Sequence, residues 1–381
     1  MQNWSTSGTA LASSPDGESR YHFRSFHSGH RAHSSHFQLR NLLAASNRSQ
    51  VFYAAGSKVM ATSLACPDVR TIAMDLSSTT LASAASMRVM CLSTPSETSS
   101  QSAYRSDKVL LAGGFSGEFA LLDLTSQPHS LSSPTTGFVS HHPNGIVTHI
   151  DTYPERRSGL LRAAFSSNDH KLRLMDVKTT TFTHTFSYAH AVNCSAISPD
   201  GRLRLLVGDS NNAYITNAET GEITTQLEGH SGHGFAAAWS SSGTLVATGA
   251  QDEKVILWDA RNWSRPLRTL DTLMSCARSL HFTDDDALVI AESEDVVSIY
   301  DARGSDDDAR RQHLRFFGSI AGVCVLDGGR EIAVANADRT VGGLLTFERR
   351  WESLRGENNH VRGWSRASRR HASLFCNDVM L

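Results

Sequence analysis

Apolar segments in the second half of this chain recur with a nearly constant period. Each segment ends on a residue pair, and the second members of successive pairs lie 41, 42 and 42 residues apart. These pairs are Met175-Asp176, Thr216-Asn217, Trp258-Asp259 and Tyr300-Asp301. A series of turn positions follows at intervals of 42, 43 and 43 residues, namely Gly201, Gly243, Asp286 and Gly329. Two independent markers with one period indicate a repeat architecture, in which one supersecondary unit is copied along the chain.

The clearest copy spans residues 229–259 and reads GHSGHGFAAAWSSSGTLVATGAQDEKVILWD. It opens on Gly229-His230, places Asp252 in a tight turn and closes on Trp258-Asp259. Such features within a unit of roughly 40 to 45 residues are typical of a four-stranded propeller blade. The stretch resembles a repeat of the WD-repeat, or transducin-like, family. This resemblance and the chain length predict an all-β fold: a single WD-repeat β-propeller of about seven four-stranded blades, with flexible N- and C-terminal tails.

The resemblance also implies a structural hydrogen-bond chain within this repeat. Asp252 accepts from His230 in such a chain, and the Trp258 indole donates to Thr248, so that the buried polar groups are satisfied. A Ser-His-Asp hydrolase is the alternative interpretation of His230, Ser231 and Asp252. It is disfavoured, because a nucleophile elbow needs Gly-x-Ser-x-Gly and position 233 is His. Other turn and end positions of the repeats are Asp169, Asp176, Asp259, Asp301 and Asp338.

The order of features resembles a narrower group of uncharacterised fungal and plant WD-repeat proteins, whose last blade is known as a domain of unknown function. This group implies a fold and no known reaction. The chain departs from it in a Ser-rich insertion at residues 93–107. The segments that carry the resemblance are HFQLRNL at 36–42, AGGFSGE at 112–118, AISPDGRLRLLVGDS at 196–210, FAAAWSSSGTLVATGAQD at 235–252, and FFGSIAGV and ANADRTVGGLL within 316–345.

Three regions are expected along the chain. They are a disordered or extended arm at residues 1–36, the propeller at 37–347 with its last blade at about 316–347, and a basic tail at 348–381. The last blade has only three clear strands in its sequence, which would leave a sheet edge unpaired. We therefore expect its fourth strand to come either from the arm, at residues 21–36, or from residues 349–355.

The composition argues against a membrane protein and against a strongly charged surface. The chain has 36 Lys and Arg against 38 Asp and Glu, a net charge of −2, so there is no general attraction to nucleic acid or anionic lipid. No segment approaches the roughly 18 apolar residues of a membrane helix, and the first residues do not resemble a signal peptide. We expect a protein of the cytoplasm, the nucleus or both, as a monomeric propeller within a complex.

Cysteine and histidine patterns predict neither a metal nor a cofactor. Five histidines lie within residues 22–36, and the spacing of His30, His33 and His36 could bring three rings together at a metal. A polar arm is the favoured interpretation, because no carboxylate or cysteine accompanies them. The cysteines lack a CxxC motif and are expected to be free thiols. They are Cys66, Cys91, Cys194, Cys276, Cys324 and Cys376.

The predicted function is a non-enzymatic protein-protein interaction scaffold with partners of unknown identity. The loops that lead into a propeller's inner strands form a rigid face that suits protein partners. No paired titratable groups of the kind that catalysis needs recur along the repeats. Candidate contact residues, chosen by their position in the repeat, are Phe235, Gln251, Arg278, Asn168, Asn193, His233 and Glu294.

An RNA- or chromatin-associated adaptor is the alternative function. It depends on the basic tail, in which seven arginines between residues 349 and 370 are interleaved with Trp351 and Trp364. Basic residues with aromatics can follow single-stranded nucleic acid. A solvated tail or a nuclear import signal is the favoured interpretation, since an arginine cluster alone is a weak indicator.

Overall fold

The computed structural model describes residues 19–33, 36, 41–77, 86–95, 108–125, 133–303 and 311–350. Parts of three predicted regions lie outside these ranges: residues 1–18 of the arm, most of the Ser-rich insertion, and the tail beyond residue 350, with Cys376. The other five cysteines are free thiols. Within the described ranges there is no helix with the length and hydrophobicity needed to cross a membrane.

The chain folds into antiparallel four-stranded meanders that follow one another as the blades of a propeller. Blade 1 holds β2 (Leu43–Asn47), β3 (Gln50–Ala55), β4 (Lys58–Thr62) and β5 (Arg70–Asp75). Blade 2 holds β6 (Val89–Ser93), β7 (Val109–Gly114), β8 (Glu118–Asp123) and β9 (Thr135–Phe138). Blade 3 holds β10 (Val147–Pro154), β11 (Leu161–Ser167), β12 (Lys171–Asp176) and β13 (Thr181–Ser187). Blade 4 holds β14 (Val192–Ile197), β15 (Leu203–Gly208), β16 (Ala213–Asn217) and β17 (Ile223–Leu227).

The remaining strands build blades 5 to 7. Blade 5 holds β18 (Gly234–Trp239), β19 (Leu245–Ala250), β20 (Lys254–Asp259) and β21 (Arg268–Asp271). Blade 6 holds β22 (Ala277–Phe282), β23 (Ala287–Glu292), β24 (Glu294–Asp301) and the first half of β25 (Gln312–Leu326). Blade 7 holds the second half of β25, β26 (Glu331–Asn336), β27 (Gly343–Arg349) and β1 (Tyr21–His27), with a short 3-10 turn at Asp327–Gly329. The prediction of an all-β propeller with seven four-stranded blades is confirmed.

The first strands of the seven blades form the inner ring. Each contacts the first strand of the next blade, and β25 contacts β2, so that the ring is closed. Backbone hydrogen bonds join neighbouring blades near this ring, from Leu42 N–H to Ala321 O at 2.9 Å and from Leu92 N–H to Asn41 O at 2.8 Å. The blade faces pack on one another, which explains why second strands such as β7 and β26 are buried at every residue. Outer strands such as β13 are largely exposed.

The repeat period has a physical cause in the turn between the first and second strands of each blade. In blades 4 to 7 the marker residue of that turn has positive φ, which glycine adopts without steric cost. Gly201 and Gly243 have φ of 69° and 73°, and Gly329 has φ of 103°. Asp286 takes the same place in blade 6 with φ of 60°, and its buried carboxylate is held by Arg303. The spacing seen in the sequence is therefore the spacing of one backbone conformation.

The N-terminal arm supplies the strand that closes the ring. β1 pairs antiparallel with β27, from Tyr21 opposite Arg349 to His27 opposite Leu344. Of the two segments considered for this role, the arm therefore provides the fourth strand of blade 7. The propeller sheets begin at Tyr21 rather than at residue 37, and β27 extends to Arg349, two residues into the predicted tail.

Side chains at the N-terminal end of β1 fasten it to blades 6 and 7. Tyr21 is 1% exposed, its hydroxyl donates to Gly329 O, and burial raises its pKa to about 12. The Gln312 amide accepts from Tyr21 N–H at 2.8 Å and donates to Tyr21 O at 2.6 Å. Asp285 accepts from both Arg20 and Arg349. The arm is thus a structural part of the propeller, and this placement could not be derived from a polar, histidine-rich sequence.

The interface between blades 3 and 4 contains a buried ion pair. Arg204 on β15 is 1% exposed and donates to Asp151 on β10 at 2.8 Å, while Asp151 also accepts from Ile197 N–H at 3.1 Å. The guanidinium carbon lies 4.7 Å from the centre of the Tyr153 ring. Arg204 Nε and Nη2 have no hydrogen-bond partner among the described residues. This pair therefore depends on one carboxylate to compensate a fully buried charge.

Candidate protein-interaction face

One end of the propeller carries two kinds of loop from every blade. Because each blade is an antiparallel meander, the loop that enters its first strand and the turn between its second and third strands lie at the same end. We call this end the top face and the opposite end the bottom face. Each of the seven candidate contact residues from the sequence lies in such a loop or turn or at its edge. All seven therefore belong to the top face.

Four side chains in blade 5 form a continuous hydrogen-bond chain below the top face. The Trp258 indole N–H lies 3.0 Å from Thr248 Oγ1, which lies 2.9 Å from His230 Nε2. His230 Nδ1 lies 3.1 Å from both oxygens of Asp252. Burial lowers the pKa of His230, although Asp252 opposes this shift. A neutral ring that donates from Nδ1 to Asp252 and accepts from Thr248 satisfies every member of the chain.

Replacing Thr248 by valine should destabilise the protein by about 1 to 3 kcal/mol, because the Trp258 indole and His230 Nε2 would lose their shared partner while buried. The measurement is chemical unfolding of the full chain. Thr269→Val, on the exposed outer strand of the same blade, is the matched control and should change the free energy of unfolding little. Equal effects of the two substitutions would contradict a structural role for the chain.

The other repeat aspartates are held by different partners. Asp169 accepts from Arg173 at 2.6 Å and from Ser140 at 2.6 Å. Burial raises the pKa of Asp169, yet these hydrogen bonds outweigh it and bring the pKa to about 2. Asp259 is bound by Arg261. The remaining positions cap turns through backbone N–H groups of Thr179 to Asp176, Arg303 to Asp301 and Thr340 to Asp338.

Three of the candidate contact residues share one special backbone position. In six of the first strands the ladder skips a residue near the top face, and Asn193, Phe235 and Arg278 are such residues. Asn193 is 5% exposed and binds Gly234 O at 3.0 Å and Asp209 at 2.9 Å. Phe235 is 6% exposed. The prediction that Asn193 and Phe235 offer contact surface was wrong, because the next blade covers both.

The remaining candidates stand apart on separate turns. Gln251 and Glu294 are exposed, Asn168 is half-buried, and the exposed His233 lies 3.8 Å from Asp209. Glu294 was chosen as the residue before the turn aspartate Asp295. The residue of this turn with positive φ is Asp295 in blade 6 and Glu253 in blade 5, so Glu294 corresponds to Asp252 and not to Gln251. The prediction was one residue out of register.

Arg278 is also half-buried, and its guanidinium is held in place. Its carbon lies 3.9 Å from the centre of the Phe235 ring, and its Nε donates to Ser293 Oγ at 3.1 Å. Burial lowers the pKa of Arg278, and Nη1 has no hydrogen-bond partner in the described ranges. Stacking on Phe235 contributes about 1 kcal/mol or more at a partly desolvated site. The arginine is thus fixed in orientation without a carboxylate partner among the described residues.

Exposed apolar side chains surround the same turn of blade 6, and sequence reasoning missed them. Leu273, Met274 and Phe317 are 40%, 64% and 72% exposed. Leu273 and Met274 lie in the loop before β22, and Phe317 lies within β25 where this strand passes from blade 6 to blade 7, so the two segments stand on either side of the turn from Glu292 to Asp295. Two apolar pairs, Leu273-Met274 before β22 and Phe316-Phe317 within β25, were the signal in the sequence that could have found them.

Hydrogen bonds from side chains of neighbouring strands and turns fix the backbone of both segments. Glu292, which is fully buried, accepts from the N–H groups of Leu273, Met274 and Ser275 at 2.7 to 2.8 Å. Asp295 accepts from Gly318 N–H at 2.6 Å, and Asn336 donates to Phe317 O at 2.7 Å. The apolar side chains are therefore presented on segments with a fixed backbone. We call Leu273, Met274, Arg278, Glu294 and Phe317 the blade-6 patch.

Two clefts lie at the bottom face, at the opposite end of the propeller from this patch. One of about 410 Å³ lies where blades 1, 2 and 7 meet, lined by residues that include Arg48, Lys108 and Asp327. Another of about 260 Å³ lies between blades 3 and 4, lined by Arg156, Arg162 and other polar residues. Within the described ranges no group of three or more His, Cys, Asp or Glu side chains could hold a metal ion.

Two half-buried histidines lie on first strands, His149 in blade 3 and His281 in blade 6. Burial lowers the pKa of both, that of His281 to about 4, with His149 as a further cause. Ser279 Oγ lies 2.8 Å from His281 Nε2. This contact has the residue types of a nucleophile and a base, but Ser279 is 6% exposed and no described carboxylate is recorded as orienting His281. The arrangement lacks the access and the third member that acyl transfer needs.

Acidification should destabilise the protein between pH 6.5 and 4. The folded-state pKa of His281 is below 6.5, so the unfolded chain binds the proton first. The stability is therefore complete above pH 6.5 and is lost as the pH falls towards 4. His281→Gln should flatten this slope in urea unfolding, whereas His184→Gln, on an exposed strand, should leave it unchanged. Identical slopes for all three proteins would contradict the assignment.

The comparisons with known proteins agree with this fold. Residues 221–259, which contain the hydrogen-bond chain of blade 5, match the family described as WD domain, G-beta repeat. The uncharacterized protein C4G3.03 of Schizosaccharomyces pombe is 27% identical over 250 residues, covering 60% of this chain and 69% of that protein. The protein transport protein sec13 of Aspergillus clavatus is 28% identical over 152 residues, covering 32% of this chain and 51% of that protein.

A third relative is the small ribosomal subunit protein RACK1y of Oryza sativa subsp. japonica. It is 32% identical over 112 residues, which cover 29% of this chain and 33% of that protein. The chain thus spans about half of the sec13 protein and a third of the RACK1y protein. The blade geometry defines this protein as a β-propeller, and its fifth blade matches the family described as WD domain, G-beta repeat.

Proposed function

We propose that this protein is a non-enzymatic scaffold that binds other proteins through the top face, at the blade-6 patch. The observation that carries the proposal is the exposure of Leu273, Met274 and Phe317 on segments whose backbones are held by hydrogen bonds to Glu292 and Asp295. Apolar side chains clustered on a rigid surface and rimmed by polar groups are typical of protein-binding sites. Relatives named as a protein transport protein and a ribosomal subunit protein fit a role within larger assemblies.

The remaining sequence-based expectations stay as part of this proposal. The protein acts in the cytoplasm, the nucleus or both. We also keep the proposal that it resembles a group of uncharacterised fungal and plant WD-repeat proteins, in addition to its similarity to the Schizosaccharomyces pombe protein. The RNA- or chromatin-associated alternative gains nothing from the described residues. Arg349, the first arginine of the predicted tail, is bound to Asp285 at 2.9 Å, and the residues beyond 350 lie outside the described ranges.

The test is affinity capture of the full chain from its own cells, with proteins and RNA both identified. A Met274→Asp, Phe317→Asp variant should lose its protein partners, because each charge would be buried in the interface without a counterion. Leu160→Asp, which changes an exposed leucine on the bottom face, is the matched control and should retain them. Partners that persist in the first variant and disappear in the second would contradict the proposed face.

A further inference from the structure

We propose that the blade-6 patch recognises an acidic peptide segment of the partner, in which one carboxylate pairs with Arg278 and a neighbouring apolar side chain contacts Met274 and Phe317. This inference rests on the proposed function and specifies the partner's chemistry. The inference is drawn from Arg278, which the described residues hold in place and leave without a counterion.

Other buried or half-buried arginines show what Arg278 lacks. Arg173 pairs with Asp169 at 2.6 Å, and Arg204 pairs with Asp151 at 2.8 Å. Arg278 has instead an aromatic ring on one side and a neutral hydroxyl at Nε. Withdrawing a cation from water without a counterion is unfavourable, and this cost is recovered when an anion binds. A partner carboxylate would supply the group that the other arginines find within the protein.

The orientation of the guanidinium also suits a carboxylate. Stacking on Phe235 fixes the plane of the group, and the bond from Nε to Ser293 fixes its rotation. Because Nε donates to Ser293 and Nη1 is buried, Nη2 is the nitrogen left to donate to a carboxylate oxygen, in a charge-assisted hydrogen bond. Because the side chain is already ordered, little conformational entropy is lost when the partner binds. Arg88 stacks similarly on Phe115 at 3.7 Å, but it is exposed to solvent.

The surroundings restrict the peptide to few acidic residues. Glu294 is exposed on the same turn, and it would repel a second carboxylate close to the first. Ser275 and Ser293 are joined by a hydrogen bond of 3.0 Å, which brings the loop of Met274 against the base of the Arg278 site. The favoured ligand is therefore an acidic residue next to a large apolar residue, and not a run of acidic residues.

The experiment uses a phage-displayed library of random peptides selected on the immobilised full chain. Enriched peptides should share an Asp or Glu beside a large apolar residue. Synthetic copies are then measured by fluorescence anisotropy, together with copies in which Asp or Glu is replaced by Asn or Gln. The amide copies should bind about 30-fold or more weakly, the loss expected when one partner of a desolvated charge pair is removed.

Protein variants separate this inference from the proposed function. Arg278→Gln should cause the same loss as the amide peptides, Arg278→Lys should cause a smaller one, and Arg202→Gln on the bottom face should cause none. Melting temperatures show whether each variant is folded. Peptides that bind through Met274 but tolerate both Arg278→Gln and the amide replacement would overturn the carboxylate assignment alone. A selection that yields no peptide sensitive to Met274→Asp would overturn both proposals.

Discussion

Replacing Tyr21 by alanine lowers the free energy of unfolding by about 3 to 5 kcal/mol, the cost of removing a large aromatic side chain from a core. Tyr21 is 1% exposed and lies on β1, the strand that completes blade 7. Its loss leaves a cavity beside Gly329 and weakens the joint between the two ends of the propeller. Urea unfolding of the full chain measures the effect.

A control substitution on the same strand separates the contribution of Tyr21 to ring closure from the general effect of changing a residue in the arm. His22 is exposed and pairs with Glu348 in the ladder. His22→Ala keeps the strand and its backbone hydrogen bonds, and we expect a change within about 0.5 kcal/mol. If Tyr21→Ala were as stable as His22→Ala, the arm would not be holding the ring closed.

Replacing Asp151 by alanine should cost about 3 to 5 kcal/mol, because Arg204 would keep a buried charge without its counterion. The effect of a second substitution, at Arg204, is more diagnostic than this loss of stability. Adding Arg204→Met to Asp151→Ala removes the uncompensated charge, and an apolar side chain of similar length can pack on Tyr153. The double variant should therefore be more stable than Asp151→Ala alone.

Chemical unfolding of the two single variants and the double variant completes a mutant cycle. Strong coupling between the two positions supports the ion pair as the element that joins blades 3 and 4. Additive effects would show that Asp151 acts mainly through its hydrogen bond from Ile197 N–H, which is 3.1 Å long. Asp151→Asn retains an acceptor for that hydrogen bond and distinguishes the two contributions.

Much of the fold could be predicted because the repeats use one backbone conformation at one spacing. Gly201, Gly243 and Gly329 occupy turns with positive φ, and Asp286 follows the same spacing. Residue types at such turns are restricted by sterics, so the period is visible in the sequence. The hydrogen-bond chain through Thr248 was predicted from the family resemblance, and its geometry follows in the structure.

The site was harder to predict because exposure depends on how blades pack. Phe235 is covered by Arg278, which lies one repeat later in the chain, and local sequence does not reveal that contact. In blade 6 the adjacent acids Glu294 and Asp295 allowed two alignments, and both the backbone conformation and the 42-residue spacing from Asp259 to Asp301 align Glu294 with Asp252. Met274 lies in a loop, where apolar residues carry no periodic signal. The pairing of the arm could not be determined from the sequence either, since its partner strand β27 is more than 300 residues away along the chain.

The most direct test of the proposed interaction face is photo-crosslinking in the protein's own cells. A photo-crosslinking amino acid is placed at position 274 on the top face, and in a second protein at position 160 on the bottom face. The proposed function predicts that specific proteins crosslink at position 274 and that Arg278→Gln reduces their yield, while position 160 gives none of them. Specific crosslinks at position 160, together with none at position 274, would contradict it.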